Sequence, residues 1–329
     1  MTKTNQQKVK DFLINNGVII VMFILVIYTG FTSDNFFTKN NFMNILMNMS
    51  SRLVIALGIA GCVITAGCDL SAGRMIGFGA CISGMLLQRM DYSGKFFPDM
   101  QPPNVFVVAL IAMLVCAAFG TVTGFFIAYL NVPPFIATLA MMEIVYGIGL
   151  IVTNATPLGG YVEQYTNVSN GKFLGINYLI WIAIIVAAIT WFIFNMTRHG
   201  KYMYAIGGNP QAAEVAGVPV KATLILIYMK AAAMYGLAGF MLGAKAGGAS
   251  VQTGYGYEME AIAACTIGGV SVTGGRGKVS SAIIGVAVFE LLKVALQYLG
   301  MNANAQYIAI GVVIFIAISL DIRKYIARK

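Results

Sequence analysis

Eight charged residues fall inside or beside long apolar runs: Asp69, Arg74, Glu143, Lys230, Glu258, Glu260, Glu290 and Lys293. An unpaired charge at a bilayer centre costs roughly 2.5–3.5 kcal/mol on insertion scales, so each must pair, cap a helix, or face water. In GCDLSAGR (Gly67 to Arg74), Ser71 is placed to cap the helix that follows, and Asp69 lies near that helix's positive end. A capped turn at the inner junction of two spans is one reading. The other is that Asp69, Ser71 and Arg74 line a translocation path or its gate. In YEMEAIAACTIGGVSVTGGRGK (Tyr257 to Lys278), Glu258 and Glu260 stand at a helix N-terminus, where the dipole favours them, and Glu258 joins the pathway candidates. Glycines 268, 269, 274, 275 and 277 permit close helix approach and an unwound turn. Glu290 and Lys293, three apart, are expected to pair locally. Lys230 has no sequence neighbour to neutralise it, so a contact across helices to Glu290 or Glu143 is expected.

Several chemistries are excluded by what is missing. GGRGK resembles the end of a phosphate loop, but Val272 stands where the first glycine belongs and Val279 where Ser or Thr belongs, so this stretch does not bind ATP. Ser71 to Arg74 also echo Thr273 to Arg276, a match that chance explains. His199, the only histidine, sits among basic residues at a span end and reads as a solvated interfacial side chain. Cys62, Cys68, Cys81, Cys116 and Cys265 lie in or at the edge of apolar segments without paired spacing, which points to packed, reduced thiols. No nucleophile with its base, acidic dyad or metal-ligand cluster appears, so the expectation is a non-enzyme without bound metal or cofactor.

The elements that must hold these residues are spans. With 59% hydrophobic and 10% charged residues and a mean hydropathy of +0.80, the chain reads as an all-α polytopic membrane protein, one transmembrane domain over residues 1–329. About ten runs are long enough or nearly so, near residues 18–31, 53–66, 75–90, 105–130, 135–152, 178–194, 222–243, 258–272, 279–299 and 307–320. The second and eighth are short or glycine-broken, which suggests half-helices there. The first run lacks a small-residue cleavage site and reads as an uncleaved span.

With a cytoplasmic N-terminus, the inner segments hold Lys3, Lys8, Lys10, Arg74, Arg198, Lys201, Lys221, Arg276, Lys278, Arg323, Lys324, Arg328 and Lys329. The outer ones hold only Lys39, Arg52, Arg89, Lys95, Lys172 and Lys245. That bias places both termini inside, and it explains the +9 net charge without nucleic acid.

A polar island, RHGKYMYAIGGNPQAAEVAGVPV (Arg198 to Val220), interrupts the apolar pattern. Asn209 is an N-cap, Pro210 takes the first helical position, Gly217 suits a C-cap and Pro219 blocks continuation. After six spans it lies on the cytoplasmic side as a short, rigid knob.

GCDLSAGR, IAYLNVPPFIATL, IVYGI, YAIGGNPQAAEVAGV and YEMEAIAACTIGGVSVTGG occur in the order found in sugar permeases of the ATP-binding-cassette superfamily. The chain resembles their ribose/galactoside type, most of all the galactose/methyl-galactoside (Mgl-type) group. The resemblance implies an importer permease fold of ten helices and a homodimer around a central path in the lipid of a bacterial inner membrane. It also implies cytoplasmic ATPases that carry ATP and Mg²⁺, and a periplasmic or surface-tethered sugar-binding protein. Gly207, Gly208, Asn209, Ala212, Ala213, Glu214 and Gly217 would then form the ATPase-coupling segment, with small side chains entering a cleft and Asn209 and Glu214 bonding at its rim. Few aromatic-plus-carboxylate sugar clamps are expected in the path, because the binding protein supplies affinity. Lys230 and the Glu290/Lys293 pair depart from the family's pattern. An ion-coupled secondary sugar carrier is the alternative, with Glu143 and Glu290 as its only candidate carboxylates.

Overall fold

The computed structural model describes residue 20 and residues 22–326. Lys3, Lys8, Lys10, Arg328 and Lys329, which contribute to the charge bias, lie outside these, as does the start of the first predicted span. In chain order the helices are α1 (Met22–Thr32), α2 (Lys39–Ile64), α3 (Ala72–Leu86), α4 (Val105–Tyr129), α5 (Pro134–Thr153) and α6 (Glu163–Asn170). A two-strand hairpin follows, β1 (Lys172–Phe173) with β2 (Ile176–Asn177), pairing Lys172 with Asn177 antiparallel. Then come α7 (Tyr178–Met196), α8 (Arg198–Gly208), α9 (Pro210–Val215), α10 (Val220–Ala246), α11 (Tyr257–Gly268), α12 (Val279–Tyr298) and α13 (Ala303–Ile326). Helices α2, α4, α5, α7, α10 and α12 are long and apolar enough to cross a membrane. The remaining apolar runs form α1, α3, α11 and α13. The chain is a polytopic all-α membrane protein.

The core is built on α2 and α10. They run antiparallel: Lys245 near the end of α10 bonds Asn48 early in α2, and Ile227 near the start of α10 meets Gly61 late in α2. Helix α4 lies closely along α10, because Gly120 lets the backbones touch; a Cβ there would sit 2.4 Å from the Tyr228 carbonyl oxygen. Helix α8 packs beside the end of α2, which defines a near face. The hairpin, α6 and the Leu158–Ala249 bridge lie at the opposite, far face.

Two departures from the sequence expectation matter for function. The second span is not broken: α2 begins at Lys39, capped by the Thr38 hydroxyl, and carries Asn41, Asn44 and Asn48 on one helical face. The break comes after it. Residues 65–71 run back into the bundle, and Asp69 reaches Tyr235 in the middle of α10. GCDLSAGR therefore sits at mid-depth instead of at a span junction near the surface, and Arg74 does not belong with the near-face charges. The extended segment is tolerated there because protein surrounds it, with Asp69, Leu70 and Ser71 buried.

The second half-helix is α11, as expected for the eighth run. After α10 ends at the far face, residues 247–256 turn back into the bundle and α11 starts at mid-depth, heading for the near face. Thus α2–α3 and α10–α11 are the same device in opposite directions: a long helix, a returning segment, and a half-helix starting mid-membrane. The echo between Ser71–Arg74 and Thr273–Arg276 is not part of this symmetry, since the first opens α3 and the second lies in the loop after α11.

Candidate functional site

The N-terminal ends of α3 and α11 meet at mid-depth and bring the predicted pathway residues together. Ser71 does not cap α3 as the spacing predicts; it holds the N-cap position but makes no side-chain cap. A buried carboxylate needs donors, so the Ser71 hydroxyl and N–H both donate to Asp69 Oδ1, at 2.6 and 3.0 Å. The Tyr235 hydroxyl donates to Asp69 Oδ2 at 3.2 Å. Glu258, buried in the first turn of α11, packs against Gly73, where a Cβ would lie 2.0 Å from Oε2. Glu258 Oε2 has no hydrogen-bond partner among the described residues.

Arg74 points the other way, to the open side of this junction. Its Nη1 donates to Gln252 Oε1 at 2.7 Å and to the Val251 carbonyl at 3.4 Å. The guanidinium lies 3.9 Å from the centroid of the Tyr146 ring and 4.5 Å from that of Tyr255, and Gln252 Nε2 donates to the Tyr146 hydroxyl at 3.1 Å. One turn from Tyr146 along α5, Glu143 is exposed and makes no ion pair or hydrogen bond among the described residues. Tyr146, Gln252 and Tyr255 were missed in the sequence, because nothing in it shows that residues 247–256 return to α5.

At the near face, α9 runs over Pro210–Val215 as its signals predict. Asn209 Oδ1 accepts from the Ala212 N–H at 2.9 Å, and Gly217 takes a φ of +82°. Gly208, Asn209, Ala212, Glu214 and Gly217 are exposed. Gly207 and Ala213 instead face the bundle. A Cβ at Gly207 would sit 1.9 Å from the Ile64 carbonyl oxygen and 2.6 Å from the Gly275 nitrogen. Val215, 91% exposed, is an apolar tip that the sequence reading passed over.

Helix α8 was not anticipated either, although Gly200, Met203, Ile206 and Gly207 are spaced for one buried face. The Tyr204 hydroxyl ties it to the loop after α11, donating to the Gly277 carbonyl at 2.8 Å; that loop is in turn held to the end of α2, where the Gly275 N–H donates to the Ile64 carbonyl at 2.8 Å, and Gly207 packs against both. A push on α9 would therefore reach the end of α2 and the loop after α11, the two elements adjoining the half-helices.

The remaining charges are structural. Glu290 pairs with Arg52 of α2, and Lys293 with Glu260 of α11, in place of the expected local Glu290/Lys293 pair. Arg52 Nε also lies 3.5 Å from Glu260 Oε2, so four charges from three helices close on one another. Glu290 is thus committed to an arginine, which removes one of the two carboxylates that an ion-coupled carrier would use. Lys230 meets neither Glu290 nor Glu143. It lines a small gap with His199 and Thr190. His199 is half-buried at the start of α8, and burial, aided by Lys230, lowers its pKa to about 4. The five cysteines are free, as expected from their spacing. At the far face a crevice of about 540 Å³ is lined by Asn41, Asn44, Asn48, Lys245, Gln297 and Tyr298 among others.

A family model described as branched-chain amino acid transport system, permease component, matches residues 41–318. The galactose/methyl galactoside import permease protein MglC of Escherichia coli K12 is 39% identical over the whole of both chains, and that of Haemophilus influenzae is 40% identical over the same share. The ribose import permease protein RbsC of Escherichia coli K12 is 32% identical over 96% of each chain. No solved structure matches the chain.

Proposed function

Since this chain belongs to the family of branched-chain amino acid transport system permease components, we propose that it is the membrane-spanning subunit of an ATP-driven importer, with galactose, a methyl galactoside or a related monosaccharide as cargo. The family's name refers to amino acids, but the relatives aligned end to end are sugar import permeases, which favours a sugar. The observation that carries the reading is the α8–α9 unit, an exposed knob on a helix that is hydrogen-bonded to the loop after α11 and packed through Gly207 against the end of α2. The chain hydrolyses nothing itself; ATP and Mg²⁺ belong to a cytoplasmic ATPase that grips Gly208, Asn209, Ala212, Glu214 and Val215.

Closure of that ATPase moves α9, and α8 passes the motion to Ile64 and to the loop at Gly275 and Gly277. The half-helices α3 and α11 then shift against each other, opening or closing the path beside Arg74. Ligand binding at the ATPase biases two arrangements of one bundle, and the permease supplies the bistable part. Two copies enclose the path. Glu143 supports this, because a carboxylate on the outward face of α5 at mid-depth belongs against water or protein, and lipid would disfavour it. The near face and both termini lie in the cytoplasm of a bacterial inner membrane, and a sugar-binding protein docks at the far face, over the amide-lined crevice.

Proteoliposomes containing the chain, its ATPase and its binding protein test the reading. Galactose uptake is expected only with ATP and both partners. Uptake driven by an ion gradient without the ATPase would overturn it, as would labelling of a cysteine at position 209 from the binding-protein side.

A further inference from the structure

The wall at mid-depth carries more recognition chemistry than a smooth conduit needs. Tyr255 is 62% exposed, Gln252 is exposed next to Arg74, and Glu143 is exposed one turn along α5 from Tyr146, in a slab where neighbouring outward residues are Leu139 and Ile144. Of the Arg74 donors, Nη1 serves Gln252 and Val251 and Nε is buried, while Nη2 makes no hydrogen bond among the described residues. A hexopyranose presents an apolar C–H face and a rim of hydroxyls. An aromatic ring beside an amide, a guanidinium and a carboxylate complements both, since ring faces cover C–H surface while amides donate and accept.

The geometry points to Tyr255, Gln252 and Arg74, with Glu143 one turn beyond Tyr146, as a hexose-recognition site within the path, which sorts sugars after the binding protein delivers them. This rests on the importer reading and deepens it. It also puts one such clamp in a path expected to hold few. The set lies on an open surface of one subunit, so binding is weak enough for release. A purely structural role for the Arg74 stack, clamping α3 to α5, predicts instead that Tyr255 and Gln252 are dispensable for sugar choice.

The full complex in proteoliposomes separates the two, with galactose and its epimer glucose each offered at concentrations that saturate the binding protein. Tyr255→Leu and Gln252→Leu should each lower galactose uptake roughly tenfold, the scale of losing a polar or ring contact in a specificity site, and should change the galactose-to-glucose ratio. ATP hydrolysis stimulated by the binding protein should persist, and Tyr255→Phe should restore uptake. Unchanged uptake and sugar ratio in both leucine variants would overturn the site while leaving the importer standing. Loss of ATP hydrolysis together with uptake in both Tyr255→Leu and Tyr255→Phe would overturn it in favour of the structural role. A wild-type complex without ATP-dependent uptake would remove the importer reading and the site with it.

Discussion

Arg52 holds two carboxylates that arrive from different helices, Glu290 of α12 and Glu260 of α11, and Lys293 completes the set. Sequence spacing favoured a Glu290/Lys293 pair, since three residues apart share a helical face. Tertiary packing overrode it because Arg52 lies inside the bundle and would otherwise keep a desolvated charge. Replacing one partner of such a pair leaves the other buried and uncompensated, at a cost of about 3–5 kcal/mol, whereas replacing both with apolar residues is close to neutral. Arg52→Met should therefore lower the unfolding temperature markedly in detergent. Arg52→Met/Glu290→Met should recover most of the loss, since Glu260 keeps Lys293. If the double variant is no more stable than the single one, Glu290 is not the main partner of Arg52.

The α8–α9 unit divides cleanly between what seats it and what it presents. Gly207 seats it, for no side chain fits between α8, Ile64 and Gly275. Glu214 and Val215 are presented. Two outcomes follow and can be told apart by co-purification with the ATPase. Glu214→Arg should abolish association while the permease remains folded by size-exclusion chromatography. Gly207→Val should push α8 off the end of α2, retaining association but uncoupling ATP hydrolysis from uptake. Undiminished association of Glu214→Arg counts against docking at α9. The caps of α9 were legible in the chain, because Asn209, Pro210 and Gly217 act locally. The seat was not, because Ile64 and Gly275 are distant in sequence.

For the molecule as a whole, the two opposed assemblies α2–α3 and α10–α11 place carboxylates and an arginine where a continuous helix would place apolar side chains. Asp69 and Glu258 are buried beside helix starts, whose dipoles offset part of the cost of burying a carboxylate. In the proposed dimer, Glu143 marks the face of α5 that is turned across the path towards the second copy. Replacing it by cysteine, in a chain whose Cys62, Cys81, Cys116 and Cys265 are buried and Cys68 half-buried, should give an oxidised dimer on a non-reducing gel. A cysteine at Ile185, exposed on α7, serves as the control that should stay monomeric. Cross-linking at both positions, or at position 185 alone, would reject α5 as the wall shared by two copies.

Composition and hydropathy by themselves determined that the chain is a helical bundle in a membrane, since an apolar run needs no distant partner to choose lipid over water. Local signals determined α9, and motif order determined the family. Depth was decided only by the tertiary structure. Whether a glycine-rich turn ends a span at the surface or returns to the middle of the bundle depends on which helices are there to satisfy its backbone and its carboxylate. For GCDLSAGR that partner is Tyr235, more than 160 residues away, whose hydroxyl reaches Asp69.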